Sequence, residues 1–183
     1  MKPLDISDGV IRLRTYRPED VDGLVAAVSA SRRELERWMW WCHPAWGIAE
    51  AHPWVANAAA AWSDDRSYEA VIEDPATGTF VGGCGLNQLD PIFRGANLGY
   101  WISTPRAGHG LATRAARMMA TWGLTEAGLQ RVSIIASVHN LASQRVAAKI
   151  GAQREGIRRN QLRFSDAPED AVGFGLIPGD LNP

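Results

Sequence analysis

A glycine-containing loop that leads directly into a helix carries the clearest chemistry in this sequence. Residues 103–106 precede Ala-Gly-His-Gly at 107–110, and apolar and small residues recur at helical spacing from Leu111. Glycines permit a tight turn with amides pointing inward, and the first helical turn adds unpaired N–H groups and a positive dipole end. We therefore expect an anion site of the kind that holds a diphosphate. Its predicted contacts are Arg106, Gly108, His109, Gly110, Leu111, Ala112 and Thr113.

Other phosphate, metal and nucleophile motifs do not occur in the sequence. No Lys-Ser or Lys-Thr follows Gly110, so the loop is not a Walker loop, and it lacks the third glycine and early position of a dinucleotide fold. The histidines lack metal-ligand spacing, and there is no Gly-x-Ser-x-Gly elbow. We expect no metal cofactor and no covalent enzyme intermediate. The four histidines are His43, His52, His109 and His139.

The composition is that of a folded chain without charge bias. Of 183 residues, 46% are hydrophobic and 21% charged, and the formal net charge is -1. One domain over 1–183 fits this length, and the charge favours neither nucleic acid nor an anionic membrane as partner. Met1–Asp8 lacks a secretory pattern and no run approaches a membrane helix, so we expect a cytoplasmic enzyme. Cys42 and Cys84 are expected to be reduced and buried.

The elements around the loop predict a mixed sheet with helices on both faces, an α/β (α+β) fold. Alternation and turn signals predict strands at 10–14, 68–72, 79–86, 97–102, 132–138, 152–157 and 171–176. Helical spacing and end signals predict helices at 21–30, 31–38, 49–61, 111–126 and 141–150.

Several residues predict local detail within these elements. Ser31 and Glu34 have capping-box spacing, and Gly128 lies where a helix cap is expected after residue 126. Gly82, Gly83 and Gly85 indicate a bulge, close approach by another backbone, or packing beneath a helix. The tail 178–183 is expected to be loose.

Six of the eight tryptophans fall between residues 38 and 62. Aromatic side chains bury large areas, so the cluster fits core packing around the alanine-rich helix. It equally fits a wall that holds a substrate with apolar and cationic parts, by stacking and cation–π contact. Both interpretations stay open at this point. The six are Trp38, Trp40, Trp41, Trp46, Trp54 and Trp62.

Three stretches together resemble the GNAT superfamily of acyl-CoA-dependent N-acetyltransferases, in its RimJ/RimL branch that acetylates ribosomal-protein amino termini. They are residues 81–86 (VGGCGL), residues 96–101 (ANLGYW) with 108–113 (GHGLAT), and residues 140–152 (NLASQRVAAKIGA). The resemblance spans nearly the whole chain. It implies a mostly antiparallel sheet with a splay between two parallel strands. Acceptor-side helices would lie at about 18–63 and the acyl-CoA-binding core at about 79–160.

The resemblance also implies how the cofactor, acetyl-CoA, would be bound. Its pantetheine arm would lie in the splay, against the backbone of Trp101, Ile102 and Ser103. Asn140 would contact the arm, Arg145 would lie in the cofactor site, and Ser143 would protonate the departing thiolate as general acid. An amide near Ile102 would stabilise the oxyanion. The alternative for Asn140 and Ser143 is helix capping.

The residues of that family that open the loop and remove the amine proton do not all have counterparts here. Relatives place Gln or Arg at position 107, which is alanine, with Arg106 one place early. The strand carboxylate of many relatives falls at Asn97, and a late glutamate of the RimL branch falls at Leu162. Glu69, Asp90 and His109 remain, of which His109 lies in the loop and Asp90 precedes a turn at Pro91. Glu69 is thus a weak candidate for the base.

The expected function is acetyl transfer from acetyl-CoA to a primary amine of a protein amino terminus, a peptide or a small molecule, by direct attack in a ternary complex. The alternatives are a catalytically silent acyl-CoA-binding module and a transferase of a longer acyl group such as succinyl. Homodimers are common in such proteins, and the apolar strand at 171–176 could pair across the axis. Predicted acceptor contacts are Trp38, Trp40, Trp41, Asn87 and Tyr100.

Overall fold

The described chain folds around one mixed sheet of eight strands. The computed structural model describes residues 1–164 and 167–181. In chain order the elements are β1 (Asp5–Ser7), β2 (Arg12–Thr15), α1 (Asp20–Ser29), α2 (Arg32–Trp38), α3 (Ile48–Ser63), β3 (Tyr68–Asp74), β4 (Thr79–Asp90), β5 (Gly95–Ile102), α4 (Leu111–Thr125), β6 (Arg131–Ser137), α5 (Leu141–Lys149), β7 (Gln153–Leu162) and β8 (Glu169–Leu176), with short 3-10 helices at Thr104–Arg106 and Pro178–Leu181.

The sheet changes direction at its centre. The strand order is β1-β2-β3-β4-β5-β6-β8-β7, and among the described strands only the neighbours β5 and β6 are parallel. They pair at Gly95 with Arg131, Ala96 with Val132 and Asn97 with Ser133, and beyond that point the two strands diverge. The predicted mixed sheet with a splay between two parallel strands is therefore confirmed.

Two apolar clusters cover the two faces of the sheet. On one face α4 presents a stripe that includes Ala115 and Met119, and α5 adds Ala147. On the other face α1 and α3 pack around residues such as Leu24 and Val55. The helices therefore hold the central strands from both sides and leave the gap between β5 and β6 to form a passage through the sheet.

The predicted capping box at Ser31 is wrong. Ser31 is the residue before α2, but its side chain makes no cap hydrogen bond. Its hydroxyl instead accepts from the amide of Thr104, at 2.8 Å, and the residue is only 2% exposed. A long-range contact replaces the local one, so α2 is tied to the segment that leads into the glycine loop.

The glycines of β4 are explained by close approach of neighbouring groups. A Cβ at Gly82 would lie 2.1 Å from the carbonyl oxygen of Trp101, and one at Gly83 would lie 2.7 Å from the indole nitrogen of the same residue. A Cβ at Gly85 would lie 1.9 Å from a carboxylate oxygen of Glu69. The strand thus lacks side chains where β5 and Glu69 need the space.

Two expectations about the end of the chain are also wrong. The segment 171–176 is not an exposed strand, because it is buried as part of β8 and pairs with β6 on one edge and β7 on the other. It therefore offers no free edge to a second copy. Residues Pro178–Leu181 form an ordered 3-10 turn in which Asp180 accepts from the amide of Ile177, while 182–183 lie outside the described residues.

A buried ion network ties β2 to β3 and α1. Arg14 donates to both carboxylate oxygens of Asp20, at 2.8 and 2.6 Å, and to Glu73 at 2.6 Å, and it is 6% exposed. Replacing Arg14 with methionine leaves buried carboxylates without their cation, so we expect a loss of about 3–5 kcal/mol in the free energy of unfolding. Urea denaturation followed by circular dichroism measures it.

The neighbouring Arg12 is the control for this prediction. It pairs with Asp5 and Glu73 but is partly solvated, and we expect R12M to lower the free energy of unfolding much less than R14M does. Equal losses for R14M and R12M would contradict the buried network as the main contribution.

Candidate active site

A cleft of about 390 Å³ opens where β5 and β6 diverge. Its walls include Gly99, Tyr100 and Trp101 from β5 and Ile134 to Ser137 from the other side of the gap. The cleft continues past Glu69 to the tryptophan-rich segment after α2. It therefore joins the two faces of the sheet through the splay.

The pairing of β4 with β5 decides which amides face this gap. Ser103 donates its amide to the carbonyl of Val81 at 2.8 Å, and its own carbonyl accepts from Arg106. The Ser103 amide is thus engaged within the protein, and a contact between the Ser103 backbone and a ligand stays a prediction. Along an antiparallel pair, the backbone N–H and C=O of successive residues point alternately toward and away from the partner strand. Since the N–H of Ser103 points toward β4, the N–H and C=O of Ile102 point away from it. That amide stays the predicted oxyanion donor.

A pair of hydroxyl groups lies on the side of the gap that α5 covers. The hydroxyls of Tyr100 and Ser143 are 3.1 Å apart, and Tyr100 also donates to the carbonyl of Ser143 at 3.2 Å. Asn140 caps α5 by accepting from the Ser143 amide at 3.0 Å. The capping interpretation of Asn140 is therefore correct, while the Ser143 hydroxyl is directed at Tyr100 and the cleft. Burial raises the pKa of Tyr100 well above its ordinary value, so the phenol stays protonated.

The glycine loop presents its amides to solvent at the start of α4. Gly108 and Gly110 have φ of +83° and +76°, the left-handed region that favours glycine. The first backbone hydrogen bond of α4 runs from the Arg114 amide to the carbonyl oxygen of Gly110. Within the described chain, the amides of residues 111–113 therefore have no backbone acceptor. The geometry is that of an anion site, and a role in binding diphosphate stays a prediction.

The basic residues predicted near that loop are placed differently from one another. Arg106 is engaged by Asp74 of the β3–β4 hairpin at 2.8 Å, which positions it beside the loop. His109 is exposed, with its Nδ1 3.4 Å from the carbonyl of Arg106. Arg145 is exposed on α5. Their contacts to a cofactor stay predictions.

The carboxylate of Glu69 lies on the opposite side of the sheet from the hydroxyl pair. Cross-strand pairing places Glu69, Gly85 and Gly99 in one row, whereas Tyr100 belongs to the next residue of β5 and so to the other face. The missing side chain of Gly85 creates the space that the carboxylate fills. The gap therefore has hydroxyls on one side and a carboxylate on the other.

A row of amides continues from this carboxylate. Asn87 donates to Glu69 at 3.4 Å, and Asn97 donates to Asn87 at 3.0 Å. Burial raises the pKa of Glu69, and the hydrogen bond from Asn87 partly opposes that rise. A carboxylate with a raised pKa is a better proton acceptor near neutral pH than an exposed one.

The tryptophans divide between the two interpretations. Trp62 is 2% exposed and packs in the core against Tyr68 and Trp122, at 5.1 Å for both ring pairs. The other five of the cluster line the cleft, and Trp40 among them is 81% exposed. The cluster is thus core at one end and cleft wall at the other. Those five are Trp38, Trp40, Trp41, Trp46 and Trp54.

Three further residues from the sequence analysis, Asp90, Leu162 and Cys84, can also be placed in the structure. Asp90 accepts from the amides of Ile92 and Phe93, both at 2.9 Å, and so forms the turn that was expected. Leu162 lines the cleft. Cys84 is free and buried, and burial raises its pKa, which keeps the thiol protonated.

Neither a metal cluster nor a membrane-spanning helix is found in the described chain. Across residues 1–164 and 167–181, no group of three or more His, Cys, Asp or Glu side chains could hold a metal ion. The same residues contain no helix long and apolar enough to cross a bilayer.

Sequence reasoning missed several groups of the cleft. Tyr16 follows β2 with its hydroxyl beside Gly83, and it lines the cleft together with Trp54. The link between Tyr100 and Ser143 joins residues 43 apart, which strand and helix periodicity cannot show. Gly83 was the available signal, since an interior glycine often marks close approach.

Comparisons with known proteins identify the family. The family model of the acetyltransferase (GNAT) domain matches residues 11–153. The Bacillus subtilis (strain 168) protein YdaF is 28% identical over 169 residues, covering 91% of each chain. The ribosomal-protein-serine acetyltransferase of Escherichia coli (strain K12) is 27% identical over 97 residues, covering 53% of this chain and 54% of that one.

Solved structures share the whole fold. RimJ of Mycobacterium smegmatis in complex with CoA-disulfide has a TM-score of 0.87 and 25% identity, covering 100% of this chain and 88% of that chain. RimL in complex with coenzyme A has a TM-score of 0.88 at 19% identity, covering 99% and 100%, and this likeness shows the fold. The predicted resemblance to the RimJ/RimL type is confirmed.

Proposed function

Because this chain belongs to the GNAT acetyltransferase family, we propose that it transfers an acetyl group from acetyl-CoA to a primary amine by direct attack in a ternary complex. One observation carries the proposal: a cleft crosses the sheet at the splay, with the Tyr100–Ser143 hydroxyl pair on one face and the buried carboxylate of Glu69 on the other. A thioester entering from one side would thus meet an amine from the other.

Acetyl-CoA fits the residues on the α4 and α5 side. The unpaired amides at the start of α4 suit a diphosphate, as helix N-termini and glycine turns do in general. The gap between β5 and β6 suits an extended arm, and the Ile102 amide would donate a hydrogen bond to the thioester oxygen as it becomes an oxyanion. Bound acetyl-CoA supplies the activated acetyl group.

On the acceptor side, Glu69 would remove the proton that an alkylamine carries at neutral pH. The neutral nitrogen then attacks the thioester carbonyl carbon, forming a C–N bond and a tetrahedral oxyanion. Collapse breaks the C–S bond, and the thiolate takes a proton from the Ser143 hydroxyl, backed by Tyr100 at 3.1 Å. The nitrogen loses its second proton after attack, and Glu69 passes both protons in turn to water. Ser143 regains its proton from water, so the products are an amide, free coenzyme A and one released proton.

Thiol release tests this proposal directly. Purified protein, acetyl-CoA and a panel of small amines and peptides with free amino termini are mixed, and free thiol and acetylated amine are quantified together. The expected result is equal amounts of the two products with at least one acceptor. Binding of acetyl-CoA without turnover of any acceptor would instead support a catalytically silent acyl-CoA-binding module. Succinyl-CoA in place of acetyl-CoA tests the longer acyl group.

Removing the Ser143 hydroxyl tests the acid. We expect Ser143→Ala to lower kcat by about tenfold or more, because the departing thiolate loses its proton donor. The affinity for acetyl-CoA, measured by calorimetry, should change little. Ala142→Ser is the control, since it alters an exposed neighbour on the same helix. Unchanged kcat in S143A would remove this hydroxyl from the mechanism.

A further inference from the structure

The acceptor side of the cleft combines indole walls with a single formal charge. Trp38, Trp40, Trp41, Trp46 and Trp54 line it. Among the described lining residues, Glu69 is the only Asp, Glu, Lys, Arg or His side chain. The side-chain amides of Asn87 and Asn97 are linked to Glu69, and those of Gln88 and Gln161 are exposed. The indole part of the site therefore suits one positive charge joined to an apolar, flat group.

The charge and the aromatic wall are a short distance apart. The Glu69 carboxylate lies over Gly85, and the indole nitrogen of Trp101 lies over Gly83 on the same face of β4. Two residues along a strand span roughly 7 Å. The Trp101 ring contacts the Trp41 ring with centroids 6.2 Å apart, and Trp41 contacts Trp46 at 5.7 Å. The aromatic wall thus begins about one two-carbon linker away from the carboxylate.

A peptide backbone suits this wall poorly. Each residue of a bound peptide brings an amide N–H and a carbonyl that lose their water on binding, and a polar group buried without a partner is costly. An indole ring offers one N–H donor and no acceptor for a backbone amide. The indole of Trp38 already donates to Glu34 at 2.8 Å.

We infer that the acceptor is an arylalkylamine, a primary amine joined by a short aliphatic linker to a flat aromatic body. The ammonium group would pair with Glu69 before it is deprotonated, and the ring would lie among Trp101, Trp41 and Trp40. This inference rests on the proposed function, and it names the class of acceptor for the same site.

Competing acceptors of matched charge test the inference. 2-Phenylethylamine and tryptamine are compared with n-butylamine and with a hexapeptide that begins with serine, with acetyl-CoA saturating. All three amines are largely protonated at pH 7. We expect kcat/KM for both arylalkylamines to exceed that of n-butylamine and of the peptide by at least about tenfold, because an aromatic body buries more apolar area and stacks on indole.

Substitutions of the cleft tryptophans test whether these side chains cause the preference for arylalkylamines. Trp40→Ala removes a side chain that is 81% exposed, and Trp41→Leu removes the ring between Trp46 and Trp101. Both should lower kcat/KM for 2-phenylethylamine by about fivefold or more through KM, as expected for lost stacking. Phe93→Ala removes another exposed aromatic ring, which does not line the cleft, and should leave kcat/KM unchanged.

The outcomes separate this inference from the proposed function. Turnover of n-butylamine or the peptide at rates equal to the arylalkylamines would overturn the inference and leave acetyl transfer standing. With no turnover of any acceptor, acetyl transfer fails, and calorimetry of each amine with the protein–CoA complex then decides the inference. Tighter binding of 2-phenylethylamine than of n-butylamine would support it, and equal or absent binding would overturn it.

Discussion

Replacing Glu69 with glutamine is expected to lower kcat by at least about 100-fold, the range that a positioned general base contributes. Glutamine keeps the size of the side chain and its place beside Gly85 but accepts no proton. The affinity for acetyl-CoA should be unchanged, because the carboxylate faces away from the α4 and α5 side of the sheet. Steady-state kinetics at saturating amine and calorimetry with acetyl-CoA measure the two quantities.

The pH profile distinguishes a base from a merely structural carboxylate. Burial raises the pKa of Glu69 above its ordinary value. The active form is deprotonated, so kcat should fall as pH decreases through this raised pKa. In E69Q that dependence should disappear. Glu126→Gln, at the exposed end of α4, should keep both the rate and the profile. An E69Q enzyme with wild-type kcat would exclude Glu69 as the base.

Placing a negative charge at Gly110 should weaken acetyl-CoA binding by at least about 100-fold. Gly110 precedes α4, and its left-handed φ of +76° sets the direction of the amides that follow. Two unit charges about 4 Å apart near a protein surface interact by about 4 kcal/mol, so Gly110→Asp would repel a diphosphate strongly. Calorimetry with acetyl-CoA measures the loss, and circular dichroism checks the fold.

Asparagine at the same position is the matched control. Asn and Asp tolerate left-handed backbone to a similar degree. A Cβ at Gly110 would meet no heavy atom of the described residues within 4 Å, so both side chains fit. G110N should therefore keep affinity within a few-fold of wild type. Equal weakening by both variants would show that backbone conformation, rather than charge, matters there, and unchanged affinity in G110D would refute the diphosphate site.

Local patterns predicted the elements near the site well. The helix predicted from Leu111 begins at that residue, and the strands predicted at 68–72 and 79–86 lie within β3 and β4. Periodicity and turn chemistry are local properties, so short windows of sequence contain them. Ser31 shows the limit, because its predicted partner was three residues away in the chain and its actual partner, Thr104, is 73 away.

Predicting the candidate site required both local sequence motifs and contacts between residues far apart in the chain. The glycine loop and the Ser143 position came from motifs that are contiguous in sequence. The place of Glu69 came from packing across strands, since only the β3–β4 register shows that Gly85 leaves space for its carboxylate. Asn97 stands where the family resemblance implied a carboxylate, and the structure shows Asn97 linked through Asn87 to Glu69 on β3.

A crystal structure of the protein with acetyl-CoA tests the central claim most directly. The account predicts diphosphate oxygens at the amides of 108–113, the pantetheine arm between β5 and β6, and the thioester oxygen within hydrogen-bonding distance of the Ile102 amide. The acetyl methyl group should point toward Glu69. Acetyl-CoA bound elsewhere on the surface, or with its thioester outside the gap between β5 and β6, would contradict it.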